Sequence, residues 1–111
     1  MNEASALTEA VYYILLSLLS PMHGYGIMQN VEMLSNSRVR LAAGTLYGAI
    51  NTMLDKRWIQ ALPEVKDSRK KEYLITSVGK EVLMKEMLRL QELLANGTTL
   101  LGGQSYEKNN V

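Results

Sequence analysis

The side chains that could carry out chemistry in this 111-residue chain are few, and they stand without partners. The chain has no cysteine, which excludes disulfides, thiolate catalysis and cysteine-bound zinc. Its single histidine, His23, cannot build a histidine-based metal site. Two carboxylate pairs, Glu64 with Asp67 and Glu81 with Glu86, have no neighbour that would complete a base, a nucleophile or a metal site. We therefore expect a protein that is not an enzyme and that uses no cofactor and no metal.

Basic residues are concentrated in one part of the chain, although the formal net charge is only +1. Between residues 38 and 80, nine Lys and Arg stand against four Asp and Glu, which makes this part +5; the other residues, with three basic and seven acidic groups, carry −4. A local positive field of this kind attracts a nucleic-acid backbone. Its densest run, Arg69, Lys70 and Lys71, could also be a solvated turn.

Three helices are predicted in the first half of the chain, because apolar residues recur there at spacings of three and four. The first is apolar nearly all round and ends before Pro21. The second covers about residues 24–34, and the third covers about residues 43–56. Small and polar residues share the outward face of the third helix: Gly44, Tyr47, Gly48, Asn51 and Asp55. Such a face suits close approach to a partner or close packing on another element.

A β-hairpin and a long helix are predicted in the second half. Residues 58–62 and 72–76 are the strand candidates, and the basic run lies between them. Thr76 is a suitable N-cap for a last helix that begins near residue 77 and stops at Asn96 and Gly97.

The predicted fold is mostly α with a small β-hairpin. Its element order is that of a winged helix-turn-helix, residues 1–76, followed by a long C-terminal dimerisation helix, residues 77–97. Residues 98–111 are expected to form a flexible tail.

A second copy of the chain is the expected way to cover the remaining apolar surface, since a chain this short buries little of it alone. We expect the first helix of one chain to meet the last helix of the other. The residues predicted for this homodimer interface are Leu7, Val11, Tyr12, Tyr13 and Leu16 on the first helix and Leu83, Met87, Leu90 and Leu94 on the last.

Three motifs resemble the PadR family of bacterial transcriptional regulators: residues 21–27 (PMHGYGI), 44–50 (GTLYGAI) and 70–76 (KKEYLIT) with Gly79 after them. The resemblance extends over about residues 5–95 and is closest to the smaller members, which have one long C-terminal helix. It implies a winged-helix homodimer that binds a pseudo-palindromic operator, usually as a repressor. Many members respond to small molecules such as phenolic acids or lipophilic drugs, so a small effector is also implied.

The resemblance also implies which residues contact DNA. These are His23, Gly24 and Tyr25 at the start of the second helix, Gly44, Thr45, Tyr47, Gly48 and Asn51 on the recognition helix, and Arg69, Lys70 and Lys71 on the wing. Two positions depart from the family pattern: Arg57 stands where glycine is common, and Glu72 stands where many members have an aromatic residue. For Tyr47, the ring could contact DNA, or it could pack on the second helix so that only its hydroxyl reaches DNA.

The expected function is therefore sequence-specific binding to double-stranded DNA by a cytoplasmic transcriptional regulator. The chain shows no secretory signal and no apolar stretch long enough to span a bilayer, so no membrane partner is expected. The alternative is a winged-helix adaptor that docks on another protein and does not bind DNA. Association through charge would weaken with salt, whereas a hydrophobic interface would not.

Overall fold

The computed structural model describes residues 6–64 and 70–102. Within them, four helices and a small antiparallel sheet confirm the predicted winged-helix fold with its long last helix. The elements in chain order are α1 (Glu9–Ser17), β1 (Met22–His23), α2 (Gly24–Leu34), α3 (Ala43–Asp55), β2 (Ile59–Ala61), β3 (Glu72–Ile75) and α4 (Ser77–Gly102).

The sheet has three strands, one more than the predicted hairpin, in the order β1-β3-β2. The central strand β3 pairs antiparallel with both neighbours, Tyr73 lying opposite Met22 on one side and Ala61 on the other. Strand β1 has only two residues, between a proline and a helix, so no alternation of apolar and polar residues could have indicated it.

One apolar core joins the first three helices to the sheet and to the first turns of α4. Its fully buried members come from all three helices: Ile14, Leu15, Leu18, Ile27, Val31 and Leu46. On α3, Ile50 and Met53 are also buried, on the side opposite to the predicted outward face. The opposite face of α3 is therefore free to serve another purpose.

The start of α4 is held against the turn that follows α3. The hydroxyl of Thr76 accepts a hydrogen bond from the N–H of Gly79 at 3.1 Å, which confirms Thr76 as the N-cap. The same hydroxyl donates to the carbonyl oxygen of Arg57 at 2.6 Å. Gly79 permits this close approach, because a Cβ there would lie 2.1 Å from the carbonyl oxygen of Trp58.

The predicted end of the last helix at Asn96 and Gly97 is wrong, because α4 continues through both residues to Gly102. A glycine stops a helix by adopting a left-handed conformation, and no glycine among residues 6–64 and 70–102 has a positive φ. Residues 98–102 are therefore helical and not part of a tail, while 103–111 lie outside the described residues. Neither α4 nor any other helix of the described chain combines the length and apolarity needed to cross a membrane.

Helix α3 ends in a turn whose central residue, Arg57, has a φ of 63°. The N–H of Trp58 donates to the carbonyl oxygen of Met53 at 2.9 Å, and the N–H of Arg57 donates to that of Leu54 at 3.0 Å. These two bonds define a Schellman motif, which favours glycine at its left-handed position. Arg57 therefore occupies a strained backbone conformation that glycine would adopt without a steric penalty.

Replacing Arg57 by glycine is expected to raise the free energy of unfolding by about 1 kcal/mol, because glycine adopts this conformation without a steric penalty. Denaturant unfolding measures the difference. Arg57→Ala is the matched control, since alanine keeps the strain and removes only the guanidinium group. If the alanine variant gained as much stability as the glycine variant, backbone strain would not be the cause.

Candidate nucleic-acid interface

The outward face of α3 is open. Thr45 and Asn51 are exposed, and within the described residues a Cβ built on Gly44 or Gly48 would meet no atom outside the backbone of α3 within 4 Å. Of the two possibilities left by the sequence, close packing on another described element therefore applies to Tyr47 and not to the two glycines. The two glycines leave a shallow surface on which a partner could approach the helix backbone.

The start of α3 also differs from the starts of the other three helices. Thr8, His23 and Thr76 each accept a backbone N–H of the helix that follows them. The N-cap of α3 is Ala42, which makes no side-chain hydrogen bond. The first N–H groups of α3 thus lack a side-chain cap, and they lie at the end of the helix that carries partial positive charge.

Tyr47 leans from α3 onto the start of α2. A Cβ on Gly24 would lie 2.2 Å from Oη of Tyr47 and 2.8 Å from its Cζ, so the phenol rests directly on the glycine backbone. The side chain is nevertheless 43% exposed. Of its two predicted roles, this geometry agrees with packing of the phenol on α2, while contact of its hydroxyl with DNA stays a prediction.

His23 is the N-cap of α2. Its Nδ1 accepts a hydrogen bond from the N–H of Gly26 at 3.2 Å, and its backbone is extended. The next residue but one, Tyr25, is 63% exposed. The predicted site residues at the start of α2 therefore divide into a cap, a buried glycine under Tyr47 and an exposed tyrosine.

The sheet brings the root of the wing to the same place. His23 pairs with Glu72 and Met22 pairs with Tyr73, so β3 runs beside the start of α2. Burial raises the pKa of the Tyr73 phenol, and nearby Tyr47 raises it further. Tyr73 was not singled out in the sequence analysis. The signal that could have indicated it is the spacing of two between Tyr73 and Ile75, which puts both side chains on the same face of β3, where both are buried.

Ion pairs reduce the positive charge assigned to this region. Arg38 pairs with Glu9, and Arg40 pairs with Glu32 at 3.4 Å, so two acids from outside the basic part oppose two of its arginines. The value of +5 for residues 38–80 therefore overstates the positive field of this part of the fold. On the wing, Lys70 and Lys71 are exposed, while Arg69 lies outside the described residues.

The residues predicted for the dimer interface fall into three groups. Those of the first helix and the segment before it are partly buried against the core: Leu7, Val11, Tyr12, Tyr13 and Leu16. Leu83 is only 4% exposed and belongs to the core of its own chain, so its side chain offers no accessible surface. Met87, Leu90 and Leu94 are 46%, 40% and 71% exposed on the same helix.

Comparison with known proteins assigns this fold to a family. The family model described as "transcriptional regulator PadR-like family" matches residues 14–85. The chain belongs to the PadR family. Members of this family are transcription regulators and not enzymes, which confirms the expectation drawn from the missing catalytic groups.

Solved structures of PadR proteins have the same fold. A PadR-family regulator from Clostridium difficile matches with a TM-score of 0.66 at 23% identity, over 82% of this chain and 97% of that chain. A PadR-like regulator from Bacillus cereus gives 0.66 at 18% identity, over 84% and 89%. Bacillus subtilis PadR, solved in complex with operator DNA, gives 0.59 at 18% identity, over 70% of this chain and 45% of that one.

Comparison of sequences also finds a relative. An uncharacterized 37.1 kDa protein from a Streptomyces fradiae transposon is 35% identical over 87 residues. The match takes in 78% of this PadR chain, which spans only 22% of the length of that relative.

Loss of the α2 cap should be measurable. His23→Ala is expected to lower the free energy of unfolding by about 1 kcal/mol, because a backbone N–H at the start of α2 loses its acceptor. His23→Asn supplies a side-chain oxygen at the same position and should recover most of that loss. Equal denaturation midpoints for the alanine and asparagine variants would contradict the capping role.

Proposed function

We propose that this PadR protein is a sequence-specific DNA-binding transcriptional regulator that places α3 in the major groove of its operator. The observation that carries the proposal is the open outer face of α3, where Gly44 and Gly48 meet no other element of the described chain. Most soluble helices cover such a face with long polar side chains or pack it against a neighbour. A bare, exposed face suits close approach to a duplex.

Each predicted contact has a physical role in this arrangement. Thr45 and Asn51 would reach base edges or phosphates from the exposed face of α3, while the two glycines let the helix backbone come close. The uncapped start of α3 would donate its N–H groups to a phosphate. Tyr47, through its hydroxyl, and the residues on either side of the buried Gly24, His23 and Tyr25, would meet the DNA backbone beside it.

The wing would add charge. Lys70 and Lys71 lead into β3, which is paired with β1 beside the start of α2. Arg69 precedes them in the sequence. Phosphate contacts by these side chains would release counterions from the duplex and so make binding depend on salt.

The form and length of α4 support a homodimer. The helix has 26 residues, about 39 Å, and every residue from Leu90 onward is exposed. The exposed segment from Leu90 to Gly102 is short enough to be only marginally helical on its own in water, and it carries Leu90, Leu93, Leu94 and Leu100 on its surface. We infer that the α1 and α4 of a second copy cover it.

A two-fold dimer leads to the remaining parts of the proposal. Two recognition helices related by symmetry would read a pseudo-palindromic operator whose half-sites lie about one duplex turn apart. Occupation of such a site near a promoter would repress transcription. We expect the protein to act in the cytoplasm, where it would have access to DNA.

A small effector could release the dimer from DNA. A groove of about 580 Å³ lies between the segment before α1, the end of α3 and the first half of α4. Leu7, Val11, Trp58 and Val82 give it apolar walls, and Lys85 is a cation at its edge. A phenolic or lipophilic molecule bound there would touch both the recognition helix and the dimerisation helix.

Selection of bound fragments from random duplex DNA tests the central proposal. A regulator should enrich a sequence with two related half-sites, and its affinity should fall steeply as salt is raised. A winged-helix adaptor, the alternative function, would enrich no duplex. Compounds that release the selected duplex would then identify the effector.

The contribution of the wing can be measured on that duplex. Replacing Lys70 and Lys71 together by alanine should reduce the slope of log K against log salt by about two, if each lysine neutralises one phosphate. Lys80→Ala with Lys85→Ala, two exposed lysines of α4, is the matched control and should leave the slope unchanged. An unaltered slope in the wing variant would mean that both wing lysines stay solvated in the complex.

The dimer can be tested by sedimentation. The wild-type protein should sediment as a dimer at micromolar concentration, whereas Leu94→Glu should shift it toward monomer because a charge would enter an apolar interface. Met33→Glu is the control, since Met33 is similarly exposed at 64% but lies on α2. A wild-type monomer, or equal dimerisation of both variants, would contradict the proposed interface.

A further inference from the structure

The recognition helix α3 contacts the start of α2 through Tyr47, which lies on Gly24. Gly44 and Gly48 have free space where a side chain would be, but Gly24 is buried under the phenol of Tyr47. A methyl group on Gly24 would overlap both Oη, at 2.2 Å, and Cζ, at 2.8 Å. The space that a side chain at Gly24 would take is therefore occupied by the side chain of Tyr47 from α3.

The backbone on which the phenol rests is held by the sheet. Gly24 follows directly on β1, which is paired with β3 through Met22 and Tyr73. Tyr73 is itself only 6% exposed and forms part of the core. The backbone under the Tyr47 phenol is thus held by the sheet, while the rest of the phenol faces solvent.

We propose that Gly24 is a positioning residue. Because Gly24 has no side chain, the Tyr47 phenol can rest on its backbone, a contact called here the seat, and this contact fixes the orientation of α3 relative to α2. The inference rests on the proposed DNA binding and adds to it. Gly24 contributes to operator affinity by orienting the recognition helix, and not by a contact of its own with DNA. To restore an ordinary contact of 3.4 Å, a methyl group at Gly24 would have to move Oη of Tyr47 by about 1.2 Å from its 2.2 Å position.

A double-mutant cycle separates the two possible roles of Gly24. Four proteins are compared: wild type, Gly24→Ala, Tyr47→Ala, and the double variant. Affinity is measured for a fluorescent copy of the duplex that the wild-type protein selects from random DNA. Gly24→Ala should bind about tenfold more weakly, which corresponds to loss of one well-placed hydrogen bond to a phosphate. The double variant should bind no more weakly than Tyr47→Ala, because the methyl group then enters the space that the ring has left.

Gln29→Ala is the control for a substitution by alanine on α2. Gln29 is exposed more than one turn after Gly24 and has no proposed contact with DNA or with a second copy, so operator affinity should not change. Wild-type affinity in Gly24→Ala would overturn the inference. Independent losses that add up in the double variant would also overturn it, since Gly24 would then contact DNA directly.

Thermal unfolding of the same four proteins needs no DNA. Gly24→Ala should lower the midpoint in the wild-type background and leave it equal or higher in the Tyr47→Ala background, because alanine is the better helix former once the clash is gone. Equal shifts in both backgrounds would show that no seat exists. Failure of the wild-type protein to select any duplex would refute the proposed DNA binding, and this measurement would still decide the seat.

Discussion

The pairing of β3 on both of its edges is the constraint on which the arrangement of this PadR chain depends. On one edge β1 brings the start of α2 to Tyr73, and on the other β2 follows the turn at the end of α3. The N–H of Ile75 also donates to the carbonyl oxygen of Leu18 at 2.8 Å, which attaches the end of α1. The next residue, Thr76, caps α4 and bonds the carbonyl oxygen of Arg57. A four-residue strand thus sets the relative positions of all four helices.

Some parts of the chain pack into the core, whereas the outer face of α3 and the second half of α4 remain exposed. The helices are packed where they meet the core, but in the described chain the start of α3 has no side-chain cap and its Gly44 and Gly48 have no neighbouring element. The second half of α4 likewise extends beyond the body, giving the molecule an extent of 60 Å along its longest axis against 21 Å along its shortest. The first feature leaves backbone N–H groups without a side-chain cap, and the second leaves leucine side chains exposed to water. A binding partner would explain both features, whereas the folding of a single chain does not require them.

The charge of a surface differs from the charge counted along the corresponding part of the sequence, because the fold brings acidic residues from elsewhere to the basic ones. The basic part of the chain includes Arg38 and Arg40, which the fold places against Glu9 and Glu32. Pairing of this kind at exposed positions adds little to stability, but it weakens the field that a phosphate would meet. Lys56 lies 5.1 Å from the ring centre of Trp58 and is engaged there too. On the described part of the wing, the basic side chains are those of Lys70 and Lys71, and both are exposed.

The sequence by itself determined the features that depend on neighbours a few residues away. Apolar spacing predicts the helices and the outward face of α3, and Thr76 is recognisable as a cap, because these patterns repeat within one or two turns. The three motifs identify the family for the same reason. The end of α4 was missed because the conformation of Gly97, and not its identity, decides whether a helix stops there.

Only the tertiary structure decided which distant groups meet. It pairs β1 with β3, puts Leu83 inside its own core and sets the Tyr47 phenol on Gly24. None of these has a local signature, because each results from close packing between elements that are separated along the chain. For Tyr47, the sequence left two roles open, and the lack of a single Cβ on α2 indicates which way its ring packs.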